Sequence, residues 1–171
     1  MWKNPRIPRA SFILWLAIHE KLPTQDVLIK KGIINTMSCY LCRAKEESVD
    51  HLFFKCLYTR RVWQALMSKL GVNWQARGWL ETVEQMIKVT KGKGLKARML
   101  RLVFNATVYG IWKERNARWS TNTYLDAVTT IRGISQMVSL RVMNVKGCRR
   151  SLQNMYLQRE WALPDSIFDN P

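Results

Sequence analysis

Cys39-Tyr40-Leu41-Cys42, followed by His51-Leu52-Phe53-Phe54-Lys55-Cys56, is the stretch whose reading decides the fold. Its spacing is C-x2-C-x8-H-x4-C. Zinc takes four thiolate or imidazole ligands in a tetrahedron, with bonds of about 2.0 to 2.3 Å. A C-x2-C turn supplies two thiolates from one tight loop. The eight-residue return, with Glu46, Glu47, Ser48 and Asp50, is a polar excursion on which the chain doubles back. His51 and Cys56 then come from a turn of helix. Three of the four cysteines crowd here, and Cys148 stands alone. A secreted disulfide framework would scatter its pairs, so the clustering favours a metal site in a reducing compartment. Four protein ligands close the shell and leave no activated water, which argues for one structural zinc and against a hydrolytic one. The deaminase signature is absent, because Leu52-Phe53 follows His51.

Outward from this knot the chain reads as helices. Arg9 to Glu20 carries Phe12, Trp15, Leu16 and His19 on one stripe at helical spacing. Thr24 is placed as an N-cap for a short helix to Lys31, which Gly32 stops. Ile33 to Glu47 reads as loop or short hairpin, and Asp50 stands where it would cap the turn bearing His51, Phe54 and Cys56. Arg60 to Leu70 turns Val62, Trp63, Leu66 and Leu70 inward, and Gly71 ends it. Trp79 to Val89 is amphipathic, and Lys91-Gly92-Lys93-Gly94 is the best linker in the chain. Leu95 to Arg118 is one long helix, with Leu95, Met99, Leu102, Ala106, Tyr109 and Trp112 three or four apart. Tyr124 to Val145 follows, with Val128, Ile131, Ile134, Val138, Leu140 and Val142, and Leu152 to Glu160 adds a short helix. The expected fold is mostly α: a small helical zinc-knuckle domain over residues 8–71, a basic bundle-like half over 79–160, and a frayed tail over 161–171.

At 171 residues with 47% hydrophobic composition, the chain buries a core without staples. Its formal charge of +16 points to a polyanionic partner. Lys3, Arg6 and Arg9 before the apolar run Ala10 to Ile18 imitate a signal peptide. Yet His19-Glu20-Lys21 follows at once without a small-residue cleavage site, so the reading is a buried helix and an intracellular protein, nuclear or cytoplasmic. No apolar run is long enough to span a membrane. No acid lies between Glu84 and Glu114, where Lys88, Lys91, Lys93, Lys96, Arg98 and Arg101 fall, nor between Asp126 and Glu160, where Arg141, Lys146, Arg149 and Arg150 fall. These stretches are read as phosphate contacts without base-specific readout, against the alternative of a solvated basic surface. His19 is read as a satisfied core histidine, Trp15, Trp63 and Trp112 as core, and Cys148 as inert.

A resemblance enters here. Trp15-Leu16, His19, Leu22-Pro23-Thr24, Leu28, Gly32-Ile33, the C-x2-C pair, Glu47-Ser48, Asp50-His51-Leu52-Phe53-Phe54, Cys56 and Trp63 resemble the zinc-binding domain that follows the polymerase in plant LINE-type non-LTR retrotransposons. Ile111-Trp112-Lys113-Glu114-Arg115-Asn116-Ala117-Arg118 resembles the segment after it, upstream of a ribonuclease H domain. The resemblance implies Cys39, Cys42, His51 and Cys56 as ligands and an accessory module that grips template RNA or target DNA. The chain departs from the parent in lacking the polymerase: no Tyr-x-Asp-Asp stretch is present, and the acids are too few and scattered for a two-metal nuclease. The expectation is therefore a non-enzymatic element fragment that binds RNA or single-stranded DNA. The alternatives are a retained regulatory or protein-interaction factor using the helices after residue 95, or an element fragment without a role.

Overall fold

α1 (Pro8–Ile18), α2 (Gln25–Lys30), a π-helical turn (His51–Lys55), α3 (Leu57–Lys69), α4 (Trp79–Val89), α5 (Leu95–Ser120), α6 (Ala127–Val142), α7 (Leu152–Glu160) and a 3-10 turn (Asp165–Ile167) follow one another along the chain. They are taken from a computed structural model that describes residues 7–73, 75 and 78–168. Among these residues no strand forms; the only ladder fragments are the bridges Ser38 to Glu46 and Cys148 to Phe168. The protein is mostly α, as its periodicity predicts. None of these helices is long and apolar enough to cross a membrane.

α5 is the axis of the molecule. Its 26 residues span about 39 Å at 1.5 Å per residue. α1, α3, α4, α6, α7 and the π turn all pack against it. The sequence stripe suggests one apolar face, but burial runs nearly all round, through Leu100, Val103, Phe104, Val108 and Ile111 as well. A helix apolar on every side belongs in the centre of a fold. The 91–94 link is a turn between α4 and α5, and one continuous hydrophobic core takes residues from both sides of it.

The π turn plugs into this axis with two phenylalanines. The Phe54 ring meets Trp63 of α3 edge-on at 5.3 Å, Trp79 of α4 at 5.8 Å and Phe104 of α5 at 6.3 Å. Phe53 lies 5.2 Å from Trp79. Offset and edge-on pairs at these distances add to what their buried area alone contributes.

α1 turns the other way from the expected stripe. Ala10, Leu14 and Ala17 are buried, whereas Phe12 is 59% and Trp15 45% exposed. The helix is apolar on two faces, and the face with two alanines is the one that packs against α5. His19 is likewise no core histidine: it is exposed, with its ring Nδ1 2.8 Å from the Trp15 carbonyl. Trp63 and Trp112 are buried as expected. On α6, Ile134, Val138 and Val142 are buried, but Val128 and Leu140 face solvent. That helix starts at residue 127 because Asp126 caps it, accepting from the Thr129 N–H at 2.7 Å.

The expected fraying after residue 160 does not occur over 161–168. Trp161, Leu163, Ile167 and Phe168 are all buried. α3 ends at Gly71, whose φ of +61° suits glycine, and its last carbonyls need donors. The Trp161 indole N–H gives one to Lys69 O at 3.0 Å, and the Tyr156 hydroxyl gives one to Ser68 O at 3.1 Å. Cys148 is buried beside this segment, its N–H bonded to Ile167 O. Residues 169–171, like Lys3 and Arg6, lie outside the described residues.

Candidate metal centre

The first two ligands ride on a small hairpin. Glu47 N–H donates to Met37 O at 2.7 Å and Cys39 N–H to Lys45 O at 2.8 Å, which closes residues 37–47 on themselves. Arg43 N–H returns to Cys39 O at 2.8 Å, and Arg43 itself takes a left-handed φ of 54°. That reversal brings Cys39 and Cys42 to one side.

The other two ligands come from the π turn. Cys56 N–H bonds to His51 O at 2.7 Å, five residues back. This wide i to i+5 closure brings the first and last residues of H-x4-C together, where an α-helix would splay them. Ser48, not Asp50, caps the turn: its hydroxyl accepts from His51 N–H at 3.1 Å. Asp50 reaches instead to the Trp79 N–H at 2.7 Å, so it starts α4 from a distance of 29 residues. It also pairs with Lys55.

One ligand atom from each of Cys39, Cys42, His51 and Cys56 lies within 4.8 Å of all the others. Cys42 Sγ and His51 Nε2 are 3.3 Å apart. Cys39 and Cys56 are fully buried, Cys42 and His51 half-buried, and none of the four cysteines of the chain is in a disulfide. Three sulfurs and one imidazole nitrogen at this separation are the donor set of a closed structural site, and they fit one Zn2+.

The electrostatics agree with that fit. The Cys56 thiol is drawn down to about 5, first by the hydrogen bond from the Cys39 thiol, then by the amides of Thr59 and Tyr58. Cys56 is the N-cap of α3, so those amides are the helix's unpaired first-turn donors, which favour a thiolate. Cys39 is pushed up by the same sulfur contact and by burial. Crowded thiols cannot all ionise side by side unless a cation lies among them, which is the condition a metal supplies when bound.

Around the ligands lies a polar frame that sequence reading does not find. Glu47 is no solvated excursion: its carboxylate is fully buried and ion-paired to Arg115 of α5 at 2.7 Å. Gln25 N–H also donates to Glu47 at 3.0 Å. Arg118 donates to Glu114 at 2.7 Å and to the Leu41 carbonyl at 2.9 Å, inside the C-x2-C turn. A local clue is the charged Lys113-Glu114-Arg115 run, which follows the mostly apolar stretch 102–112 of the helix.

The basic residues divide. Lys88, Lys91, Lys93, Arg141, Lys146, Arg149 and Arg150 are exposed, while Lys96, Arg98 and Arg101 are half-buried. Arg101 turns its guanidinium to the carbonyls of Thr90 and Gly92 and so closes the C-terminal end of α4. Arg150 pairs with Asp165 at 2.7 Å and lies over the Phe168 ring. Lys96 and Arg149 line one open groove of about 670 Å³ between the start of α5 and the start of α7.

Comparison with known proteins bears on the N-terminal part. The family model described as zinc-binding in reverse transcriptase matches residues 1–63, a span that contains all four ligands. No curated protein and no solved structure matches the chain. The donor set, its spacing and this match agree: residues 1–63 are similar to the zinc-binding domain of reverse transcriptases, and the four ligands that the structure brings together lie inside the matched span.

Proposed function

We propose that the protein is a non-enzymatic accessory module of retrotransposon origin that holds RNA or single-stranded DNA by its phosphates, without reading sequence. The observation that supports this reading most is the meeting of the two acid-free stretches. Lys96 and Arg149 are 53 positions apart in the chain, yet they line the same groove, with Asn154 beside them. Lys91 and Lys93 stand exposed at the turn leading into it. Such a strip lets successive phosphates displace their counterions. None of the four metal ligands lines this groove, so in this reading the zinc is a structural element of the module and not its reactive part.

The test is binding of a fluorescent single-stranded RNA, the matching DNA and a duplex of the same length, from about 50 to 200 mM salt. Affinity should fall linearly with salt on logarithmic axes. Replacing Lys91, Lys93 and Lys96 with glutamine should make the single-strand slope shallower by about 2, at roughly 0.7 for each phosphate left without its lysine. Absence of binding, or binding insensitive to salt, overturns the reading.

One observation favours the second reading, a protein-interaction factor. α6 leaves Val128, Leu140 and Met143 exposed along an open, mostly apolar groove of about 700 Å³. Salt-insensitive capture of a protein, without affinity for nucleic acid, would select it.

A further inference from the structure

We propose that Arg115 and Arg118 of α5 are positioning residues of the metal centre, holding the hairpin with Cys39 and Cys42 in register with the turn that carries His51 and Cys56. The proposal rests on the zinc reading of that centre and extends the unit that forms it well past residue 63.

The two halves of the ligand set are docked on α5 by different means. The π turn is held by apolar packing, with Phe54 against Phe104. The hairpin is held by two guanidiniums three residues apart, which places them on one side of the helix. Arg115 grips its base: Nε and one terminal nitrogen donate to Glu47 Oε1 at 3.0 and 2.7 Å, and Nε also lies 3.2 Å from Oε2. Both side chains are fully buried. The Arg115 guanidinium is further held 4.9 to 5.1 Å from the centres of the Tyr40, Trp112 and Trp119 rings, and Tyr40 lies within the C-x2-C turn. Arg118 grips the tip, donating to Leu41 O at 2.9 Å while Glu114 and the Leu125 carbonyl hold its other nitrogens.

Leu41 O and the Cys42 N–H belong to one peptide unit. The amides of Cys42 and Leu41 face the Cys39 sulfur. A cation on that carbonyl polarises the peptide and strengthens the N–H aimed at the ligand. Groups that orient metal ligands from behind in this way typically affect metal affinity by about 10- to 100-fold. A fixed hairpin also removes ordering that binding would otherwise require.

The experiment uses the full chain. Cobalt(II) is titrated and followed by its visible thiolate and d–d bands, and zinc affinity is read by competition with a chromophoric chelator. Arg118→Leu should bind zinc about 10- to 100-fold more weakly, with altered cobalt bands, while helix content at saturating metal is retained. Arg118→Lys should recover part of the loss, because its ammonium still donates to Leu41 O. Arg115→Leu alone strands a buried carboxylate and can fail to fold, so the double variant Glu47→Leu/Arg115→Leu is measured beside it. It removes both charges and should lose affinity to a similar degree. Arg132→Leu, an exposed change on α6, should match wild type. The proposal is overturned if Arg118→Leu and the double variant keep wild-type affinity and spectrum, even with lowered melting temperatures, because that marks plain packing. If wild type itself gives no cobalt bands, the zinc reading has failed, and the positioning role with it.

Discussion

Two segments of this molecule are rich in turns: residues 37–56, and residues 143–168 on either side of the short helix α7. They differ in what is added to apolar packing. The first is drawn together by four metal-ligating groups and by a buried ion pair to α5. The second is drawn together by Trp161, Leu163, Ile167 and Phe168, all buried, with Trp161 and Tyr156 capping α3. In the N-terminal segment metal ligands and a buried ion pair are added to the apolar packing of Phe53 and Phe54; the C-terminal one has no metal-ligand cluster among the described residues, and apolar burial dominates it. The two should therefore fail independently.

The largest expected effect tests that contrast at the metal. Structural zinc contributes on the order of 10 kcal/mol of apparent binding free energy in small zinc folds. Cys56→Ser, or chelation of the wild type, should abolish hydrogen-exchange protection over 37–56. Amides around Cys148 and Trp161 should stay protected. Equal loss of protection in both segments would show that they are one cooperative unit.

Trp161→Ala tests the other side. The side chain is 2% exposed, and its indole caps α3. Truncating a buried tryptophan costs about 3 to 5 kcal/mol. Denaturant unfolding should register that cost, while zinc affinity stays within about twofold of wild type. A large fall in zinc affinity would mean that the C-terminal segment supports the metal centre through α3.

The smallest effect concerns two helical glycines that sequence alone cannot distinguish. A Cβ on Gly110 of α5 would lie 2.8 Å from Ile134 Cγ1 and 2.9 Å from its Cδ1, and Ile134 is buried. Gly110→Ala should therefore destabilise by about 1 to 3 kcal/mol. A Cβ on Gly133 of α6 would meet nothing within 4 Å, so Gly133→Ala should stabilise by about 0.5 to 1 kcal/mol. Thermal unfolding of the two variants decides the pair. If both changes stabilise, α5 and α6 separate more readily than their packing implies.

Much of this was legible in the residues. Trp79–Val89 and Leu152–Glu160 begin and end where their periodicity and flanking residues put them. The C-x2-C-x8-H-x4-C spacing is a local signal, and the four groups do converge. What was not legible depends on partners distant in sequence. The face of α1 could not be chosen, because Phe12/Trp15 and Ala10/Leu14/Ala17 are equally helical stripes. Packing against α5 selects the smaller one. Asp50 has the position of a local cap, but its acceptor is used by Trp79. Glu47 looks like a solvated acid until α5 supplies its counter-charge. The residues beyond Pro164 carry too few apolar groups to show a pattern, yet Ile167 and Phe168 find a core already made.

The pairing of Glu47 with Arg115 across 68 residues has a consequence for synthesis of the chain. Ribosomes add about 5 to 20 residues per second, so all four ligands are made roughly 3 to 12 seconds before the arginines that brace them. During that interval the hairpin and the π turn have no α5 to rest on. Metal captured then is held by a loose set of ligands, and the finished geometry is a late event in the life of the nascent protein.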